Sequence, residues 1–234
     1  PFQSERSPVH TRRPRRKNML DPASYAYFER YSVELARLRD RHQPRAELWT
    51  GESGSAQCGG QPYRSDRFVS GFWWADQLGQ GARLGQSVMV RQALVGGDYG
   101  LVDRLTLKAR PDYWVSWLWQ QLMGRNVYPV SSSSPSLRAY LHSSARREGY
   151  SLLLINVDER PVPVTLQGLG AETSRFVVTA NRLVSKKVSI NGVRPSLRRG
   201  RVALEDFPQP ETLPILPPYS ISFWELDEAS GPRG

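Results

Sequence analysis

The sequence predicts an α/β segment followed by an all-β segment, and two patterns indicate this division. Up to Gly124, amphipathic helical patterns alternate with short apolar runs, as in a parallel sheet that is covered by helices. After Gly124 no helical pattern remains, and short strand-like runs recur between Gly, Pro and Asn residues. The chain has 234 residues, of which 39% are hydrophobic, so it can bury the core of one large domain or of two small ones.

Three helices and two strands are predicted in the first half. The first helix begins at Asp21, an N-cap residue that is followed by Pro22, and its apolar residues recur every three or four positions. The second helix covers residues 66–84, and the third starts near Pro111 and ends before Gly124. The apolar runs AELWT and SVMVRQ lie between the helices and predict two short buried strands. Two strands cannot close a sheet on itself, so we expect this half to be the end of a larger α/β unit.

The second half is predicted to be an antiparallel β-sandwich. Its strand-like runs are LRAYLH, YSLLLINV, VPVTLQ, RFVVTA, KKVSING, RVALE and YSISFWEL, and Asn191-Gly192 marks a tight turn. The last run alternates so that both of its faces carry large apolar side chains, such as Phe223 and Trp224. We therefore expect a strand that is covered on both faces rather than an edge strand.

The charge balance favours an anionic partner. The chain has 32 basic and 22 acidic residues and a net charge of +10, which suits nucleic acid, an acidic membrane surface, or a sulfated or uronic-acid polysaccharide. No apolar run reaches the roughly 20 residues of a membrane span. The single cysteine, Cys58, excludes an internal disulfide and, with only three histidines, argues against a structural zinc site. Because the chain begins with Pro1 and shows no signal peptide, we expect it to be a piece of a longer protein.

A basic arm covers residues 1–20. It contains Pro and Ser and has no periodicity, so a disordered or loosely draped state is expected. Its arginines and a second cluster near residue 200 either bind an acidic polysaccharide by counterion release or are solvated loops that keep the protein soluble. These residues are Arg12, Arg13, Arg15, Arg16, Arg198, Arg199 and Arg201. No aromatic residues are interleaved with the arginines of the arm, so nucleic acid is disfavoured as a partner.

A lone carboxylate, Glu52, follows the first predicted strand in the run LWTGESGSAQCGG. The carboxyl ends of the strands in α/β barrels carry the catalytic groups, and the glycines after Glu52 let the backbone approach a ligand. A catalytic carboxylate, a solvated loop residue and a helix cap all fit this pattern. The second strand ends in Arg91 and Gln92, and the loop GGDYG that follows contains Tyr99. Gln92 and Tyr99 either bind a sugar or are a polar strand end and an aromatic ring that packs on its own scaffold.

Four segments of the first half resemble glycoside hydrolase family 79, whose members include heparanases, β-glucuronidases and bacterial relatives. The segments are LWTGESGSAQCGGQP, DRFVSGFWWADQLGQGARLG, SVMVRQALVGGDYGLVD and PDYWVSWLWQQLMG. Two later segments, KKVSINGVRP and LPPYSISFWEL, are similar to the closing strands of the β-sandwich in that family. The resemblance extends from about Met19 to Leu226 and concerns the C-terminal half of those proteins.

This resemblance implies the C-terminal part of a (β/α)8 barrel over residues 21–124 and a β-sandwich domain over residues 125–234. It implies a retaining hydrolase of β-glucuronide bonds in heparan-sulfate-like or other uronic-acid-containing glycans, with Glu52 as the nucleophile. No cofactor or metal is expected, and the resemblance implies secretion or membrane association. The substrate contacts of the family carry over to Gly59, Gly60, Gln92 and Tyr99.

Retaining chemistry needs a second carboxyl as the acid/base, about 5 Å from the nucleophile. In the family this group is a Glu in an Asn-Glu-Pro-type motif, and the chain contains no Asn-Glu pair. We therefore expect the acid/base in an N-terminal part of the same enzyme, and we expect the 234-residue chain alone to be inactive unless Asp98 or Asp103 substitutes. The same absence also fits a non-catalytic relative that only binds acidic polysaccharide. Cys58 replaces a glycine that is common in the family, and we expect it to be a tolerated small residue.

Overall fold

The computed structural model of the protein describes residues 16–197, 200–211 and 214–228. Most of the two predicted basic clusters lies outside these ranges, namely Arg12, Arg13, Arg15, Arg198 and Arg199. The expectation that these clusters bind an acidic polysaccharide therefore stays a prediction. Within the three ranges, no helix is long and apolar enough to cross a membrane.

The chain divides into two compact units. The first extends to Tyr113 and includes residues 182–186, whereas residues 114–181 and those from Lys187 onward form the second. The division between residues 124 and 125 that the sequence suggested lies within the second unit, because most of the third predicted helix packs there. The domain boundaries of the resemblance remain predictions.

Helices and parallel strands alternate in the first unit. The elements are α1 Arg16–Met19, α2 Pro22–His42, β1 Leu48–Ser53, α3 Phe68–Arg83, β2 Gln86–Arg91 and α4 Pro111–Leu122, the last of which continues into the second unit. Asp21 caps α2, since its carboxylate accepts a hydrogen bond from the Ala23 N–H at 3.0 Å. Pro22 stands in the first turn, where a missing N–H costs nothing. β1 and β2 pair in parallel, which confirms the predicted alternation.

The described end of the basic arm is helical, which differs from the disordered arm predicted over residues 1–20. Met19 in α1 is fully buried, and its carbonyl oxygen accepts a hydrogen bond from the Tyr25 hydroxyl. Burial of this flexible apolar side chain offsets the entropy that is lost when the turn before α2 becomes ordered. The sequence did not indicate this turn, because the two adjacent apolar residues Met19 and Leu20 after a basic run produce no periodic pattern.

The strands β1 and β2 are less buried than predicted. The helices α2 and α3 cover one face of this two-stranded sheet, and Gly81 of α3 leaves the space that the Met89 side chain fills. The other face is open, so that Trp49 is 62% exposed and Val90 is 43% exposed. The expectation of buried strands is therefore wrong for this chain, because parallel strands are buried on both faces only when both faces are covered.

The helix α3 is buried from Phe68 to Gly81. Its N-cap residue, Arg67, makes no capping hydrogen bond with its side chain. Instead, the N–H groups of Phe68 and Val69 donate to the carbonyl oxygens of Ser185 and Leu183, each at 2.9 Å. The first N–H groups of a helix lack partners within the helix, and a buried helix end needs such acceptors. The segment 182–186 therefore completes the N-terminus of α3.

The second unit is a mainly antiparallel β structure. Its strands are β3 Met123–Tyr128, β4 Leu137–Ser144, β5 Tyr150–Asn156, β6 Val162–Pro163, β7 Glu172–Thr179, β8 Ser189–Ile190, β9 Ile215–Leu216 and β10 Ser220–Leu226. A six-stranded sheet has the order β3-β4-β5-β10-β7-β8, and β6 pairs with β9. The ladders are antiparallel, as predicted for this half. The RVALE run differs from the prediction, because it forms a short 3-10 helix at Leu204–Asp206 instead of a strand.

The central strand of the sheet is β10. It pairs with β5 and β7, and all of its residues are buried, which confirms the prediction that both of its faces are covered. On the other side of the sheet from Trp224, the helix α4 covers β4, where the ring of Trp119 meets the ring of His142 edge-on at 5.0 Å. The face that carries Trp224 contributes to a core of Leu141, Leu152, Leu154, Leu216, Trp224 and Leu226.

His142 is a buried titratable group in this unit, with 2% of its surface exposed. Its Nδ1 lies 2.8 Å from the carbonyl oxygen of Gly124, so Nδ1 carries the proton and donates it to that oxygen. Among the described residues its Nε2 has no hydrogen-bond partner. Burial lowers the pKa of His142, because the imidazolium form would lie out of water with a second N–H unsatisfied.

We expect the second unit to lose stability in mild acid because of His142. The pKa of His142 is lower in the folded chain than the value of about 6.5 in the unfolded chain. The unfolded chain therefore binds more protons, and the free energy of unfolding falls as the pH drops below that value. The variant His142→Asn keeps an N–H donor but does not titrate, so it should lose less stability between about pH 7 and about pH 5. Urea unfolding at both pH values measures the difference.

The exposed His42 of α2 provides the control for this experiment. His42→Asn should retain the pH dependence of the wild type, because His42 lies on the surface of the first unit and not in the unit that contains His142. An equal loss of stability in wild type and His142→Asn would contradict the prediction.

Candidate active site

The first unit brings the ends of β1 and β2 to one edge of the sheet. Ser53 in β1 is the register partner of Arg91 in β2, and the Gln92 N–H donates to the Ser53 carbonyl oxygen at 2.9 Å. Glu52 precedes Ser53 and its side chain is exposed. The predicted carboxylate and the predicted glutamine therefore lie at the same strand ends, which is the arrangement that parallel strands impose.

The loops after the two strands also touch each other. A Cβ added to Gly54 would lie 3.2 Å from Cδ1 of Tyr99 and 3.5 Å from Oε1 of Gln92. The Asp98 N–H donates to the Gly59 carbonyl oxygen at 2.6 Å. The structure thus brings together the five sequence-predicted site residues, which are Glu52, Gly59, Gly60, Gln92 and Tyr99. Their roles toward a ligand stay predictions.

The ring of Tyr99 packs on its own scaffold. Tyr99 is 8% exposed, and its ring lies between Gly54 and Gly97, where a Cβ on Gly97 would be 3.1 Å from Cε2. Of the two interpretations that the sequence allowed for this aromatic residue, these contacts fit packing on its own scaffold. Its small exposed remainder is the part that can meet a ligand.

A buried ion pair below these loops was missed by the sequence analysis. Arg91 has a side chain that is 6% exposed, and its Nη2 donates to Oδ2 of Asp112 at 2.7 Å and to the Tyr99 carbonyl oxygen at 2.8 Å. Its guanidinium lies over the rings of Trp73 and Trp74, at 5.1 and 4.9 Å from their centroids. The signal in the sequence was a charged residue that ends an apolar strand, which we assigned only to the strand end.

The ion pair remains ionised at neutral pH. Burial raises the pKa of Asp112 to about 6, while the attraction of Arg91 and a hydrogen bond from the Ser70 hydroxyl at 2.8 Å oppose this shift. Burial also lowers the pKa of Arg91, which nevertheless stays protonated because arginine titrates far above neutral pH. At neutral pH the Asp112 carboxylate is therefore held in the buried ion pair with Arg91.

Asp103 is committed to structure in a similar way. Its carboxylate accepts hydrogen bonds from the N–H groups of Leu105 and Thr106, from the Thr106 hydroxyl, and from Nη2 of Arg110 at 3.1 Å. The backbone of Thr106 first, and Arg110 second, hold the pKa of Asp103 well below its usual range. This carboxylate carries no proton at neutral pH and is therefore poorly suited to act as a general acid. Asp98 lies beside Gly60, since a Cβ on Gly60 would be 3.0 Å from its Cβ.

The described residues of the site form no metal-binding cluster, and the cysteine among them is exposed. Across the described ranges, no cluster of three or more His, Cys, Asp or Glu side chains could hold a metal ion. Cys58 is exposed and has a φ of 54°, in the left-handed region that glycine adopts more readily. This backbone suits the glycine that is common at this position in the resembling family.

Comparison with known proteins finds one matching family model and several relatives. The model described as "Glycosyl hydrolase family 79, N-terminal domain" matches residues 15–79. Heparanase-like protein 1 of Arabidopsis thaliana is 40% identical over 145 residues, which are 62% of this chain and 27% of that protein. Heparanase of Bos taurus is 31% identical over 234 residues, or 92% of this chain and 42% of that protein. Hyaluronoglucuronidase of Hirudo nipponia is 28% identical over 235 residues, or 91% and 48%. The chain spans less than half the length of these relatives.

Two solved structures share the fold. The 4-O-α-L-rhamnosyl-β-D-glucuronidase of Fusarium oxysporum 12S has a TM-score of 0.69 and 18% identity, and the match covers 93% of this chain and 51% of that one. The α-L-arabinofuranosidase of Thermotoga maritima has a TM-score of 0.59 and 13% identity, with the same coverage of 93% and 51%. Both are glycoside hydrolases by name, and the chain shares the fold of about half of each.

The contact between the two loops predicts different effects for two neighbouring glycines. Gly59 and Gly60 have φ values of 94° and 101°, so an alanine at either position is strained by about 1–3 kcal/mol. A Cβ on Gly59 meets nothing within 4 Å, whereas a Cβ on Gly60 would lie 2.8 Å from the Tyr99 nitrogen. Gly60→Ala should therefore lower the free energy of unfolding by about 1–3 kcal/mol more than Gly59→Ala. Urea unfolding of the two variants measures this difference, and equal losses would show that the loops do not touch.

Proposed function

Because this chain belongs to glycosyl hydrolase family 79, we propose that it forms part of a retaining glycosidase that cleaves β-glucuronide bonds in uronic-acid-containing glycans. The names of its relatives support this substrate class, since they include heparanase, hyaluronoglucuronidase and baicalin-β-D-glucuronidase. In this proposal Glu52 is the nucleophile, and Gly59, Gly60, Gln92 and Tyr99 contact the glucuronyl group.

The main support for the proposal is the hydrogen bond that joins the end of β1 to the residue after β2. The hydrogen bond between the Gln92 N–H and the Ser53 carbonyl fixes the backbone next to Glu52 against the backbone that carries Gln92. A carboxylate and an amide at adjacent strand ends can act on one sugar, with the carboxylate attacking the anomeric carbon and the amide holding a hydroxyl. The exposed state of Glu52 leaves it accessible to such a substrate.

The acid/base is proposed to come from residues outside this chain. Asp103 and Asp112 are engaged in buried or turn-forming contacts, so neither is suited to protonate a leaving oxygen. The open face of the β1–β2 sheet, with Trp49 and Val90 exposed, supports further strands of the same protein as its cover. Those strands would complete the barrel and carry the second carboxyl.

A second candidate function is binding of acidic polysaccharide without turnover. The net charge of +10 favours it, and so does the engagement of Asp103 and Asp112 in structural contacts. The two functions differ in one property that can be measured, because only a glycosidase forms a covalent bond between Glu52 and the sugar.

Covalent labelling of Glu52 is the expected result for the glycosidase. We expect 2,4-dinitrophenyl β-glucuronide, whose leaving group needs no protonation, to transfer one glucuronyl group to the chain. The adduct should accumulate, because the missing base also slows its hydrolysis. Phenyl β-glucuronide, which needs acid assistance, should not be cleaved. Intact-mass measurement followed by peptide mapping locates the adduct on Glu52.

The matched variants are Glu52→Gln and Glu47→Gln. Glu47 precedes β1 at the opposite end of the strand and accepts a hydrogen bond from the Trp49 indole, so its loss should leave labelling unchanged. A wild type that binds glucuronide without any adduct would favour the non-catalytic function. Robust cleavage of phenyl β-glucuronide that is lost in Asp98→Asn would show that this chain supplies its own acid.

A further inference from the structure

We propose that Arg110 is a positioning residue for this site, because its guanidinium holds the loop of residues 97–100 in the one conformation that bonds to and packs against the Gly59–Gly60 backbone. The importance of this contact for ligand binding rests on the proposed function. The contact itself lies within the first unit.

The guanidinium of Arg110 lies inside the loop. Arg110 is 7% exposed, and its Nη1 donates to the carbonyl oxygens of Gly97 at 2.9 Å, Asp98 at 2.8 Å and Gly100 at 3.2 Å. The remaining carbonyl of this segment, that of Tyr99, accepts from Nη2 of Arg91 at 2.8 Å. Four successive carbonyl oxygens thus point at two buried guanidinium groups.

This orientation of the carbonyls fixes the direction of the N–H groups. In a planar trans peptide the C=O of one residue and the N–H of the next point in opposite directions. Carbonyls that point toward the arginines therefore turn the N–H groups away from them. The Asp98 N–H meets the Gly59 carbonyl oxygen at 2.6 Å, and the Leu101 N–H meets the Ala93 carbonyl oxygen at 2.9 Å. Arg110 thus orients these two N–H groups toward the loop after β1, at Gly59, and toward the segment after β2, at Ala93.

The 97–100 loop packs so closely on its neighbours that a change in its backbone would displace them. A Cβ on Gly97 would lie 2.4 Å from the Gly59 oxygen, and one on Gly100 would lie 2.6 Å from the Gly96 oxygen. Gly60 is in similar contact with the Tyr99 nitrogen. A peptide of the 97–100 loop that rotated after loss of Arg110 would therefore displace the Gly59–Gly60 backbone.

The chemistry of this position requires arginine. Nη1 of Arg110 faces the three carbonyl oxygens, and Nη2 reaches the Asp103 carboxylate, so two nitrogens of one planar guanidinium serve both groups of acceptors. A lysine ammonium offers its three donors from one nitrogen and cannot reach the carbonyl oxygens and Asp103 together. The carbonyl dipoles and Asp103 also compensate the charge of a guanidinium that is almost out of water.

The test compares Arg110→Met and Arg110→Lys with Arg175→Lys in the full 234-residue chain. Arg175 is a buried arginine of the second unit, at 4% exposure, and serves as the matched control. Amide hydrogen exchange by NMR should be faster on the order of tenfold or more at Asp98 and Leu101 in both Arg110 variants. The amides of α3 should keep their wild-type rates, and Arg175→Lys should leave the loop unchanged. Arg110→Lys keeps the charge and covers the case in which Arg110→Met does not fold.

A second measurement titrates each protein with glucuronic acid and follows the Gly59 and Gly60 amide signals. The Arg110 variants should show at least a severalfold weaker response than wild type. Wild-type exchange at Asp98 and Leu101 in both variants would overturn the proposal, and so would an equal acceleration at α3, which would indicate general destabilisation. If the loop amides accelerate selectively but wild type shows no response to glucuronic acid, the positioning role stands and the proposed function fails.

Discussion

The first unit depends on the buried contact between Arg91 and Asp112. This pair joins the end of β2 to the start of α4, while Ser70 and the two tryptophans of α3 surround it. Removing one partner of such a pair leaves a buried charge uncompensated, which costs about 3–5 kcal/mol. The contact therefore imposes one arrangement on three elements at once. The same guanidinium also donates to the Tyr99 carbonyl. The charge of Arg91 is therefore compensated both by Asp112 in the core and by the surface loop, so the two regions depend on each other.

The pattern of elements followed from the sequence wherever local signals agreed. Asp21 and Pro22 marked the start of α2, and the alternation in YSISFWEL marked β10, because caps and periodicity act over a few neighbouring residues. Burial of β1 was not predictable from AELWT, since it depends on what covers each face of the sheet. The RVALE run alternates like a strand but forms a 3-10 helix, in which the Asp206 carboxylate accepts a hydrogen bond from the Ala203 N–H. Such local capping competes with strand pairing without changing the hydrophobic pattern.

The sequence predicted which strand ends form the candidate site, but it did not predict the buried residues that hold the loops of that site in place. Glu52 and Gln92 were found because parallel strands present their ends at one edge, which is a rule of topology. The role of Arg110 was hidden, because its hydrogen bonds go to backbone carbonyls and the identity of the carbonyl-bearing residues is irrelevant to them. Tyr99 lies at the edge of the sheet where the sequence predicted it, but the glycines around it, which looked like space for a ligand, contact its ring instead. Glycine in a sequence indicates close approach without saying what approaches.

The segment 182–186 makes the first unit discontinuous along the chain, and this affects the order in which the protein can be assembled during synthesis. A ribosome releases α3 well before Leu183 and Ser185, so the first N–H groups of the newly made helix lack the acceptors that they have in the finished protein. The segment follows β7 directly, and the acceptors therefore emerge only after most of the large sheet has been translated. The nascent first unit is incomplete until then, and the contact that completes it joins residues that are far apart in sequence. Division of the gene after Tyr113 would not yield two whole folding units, because the first piece would lack the residues that finish its most buried helix.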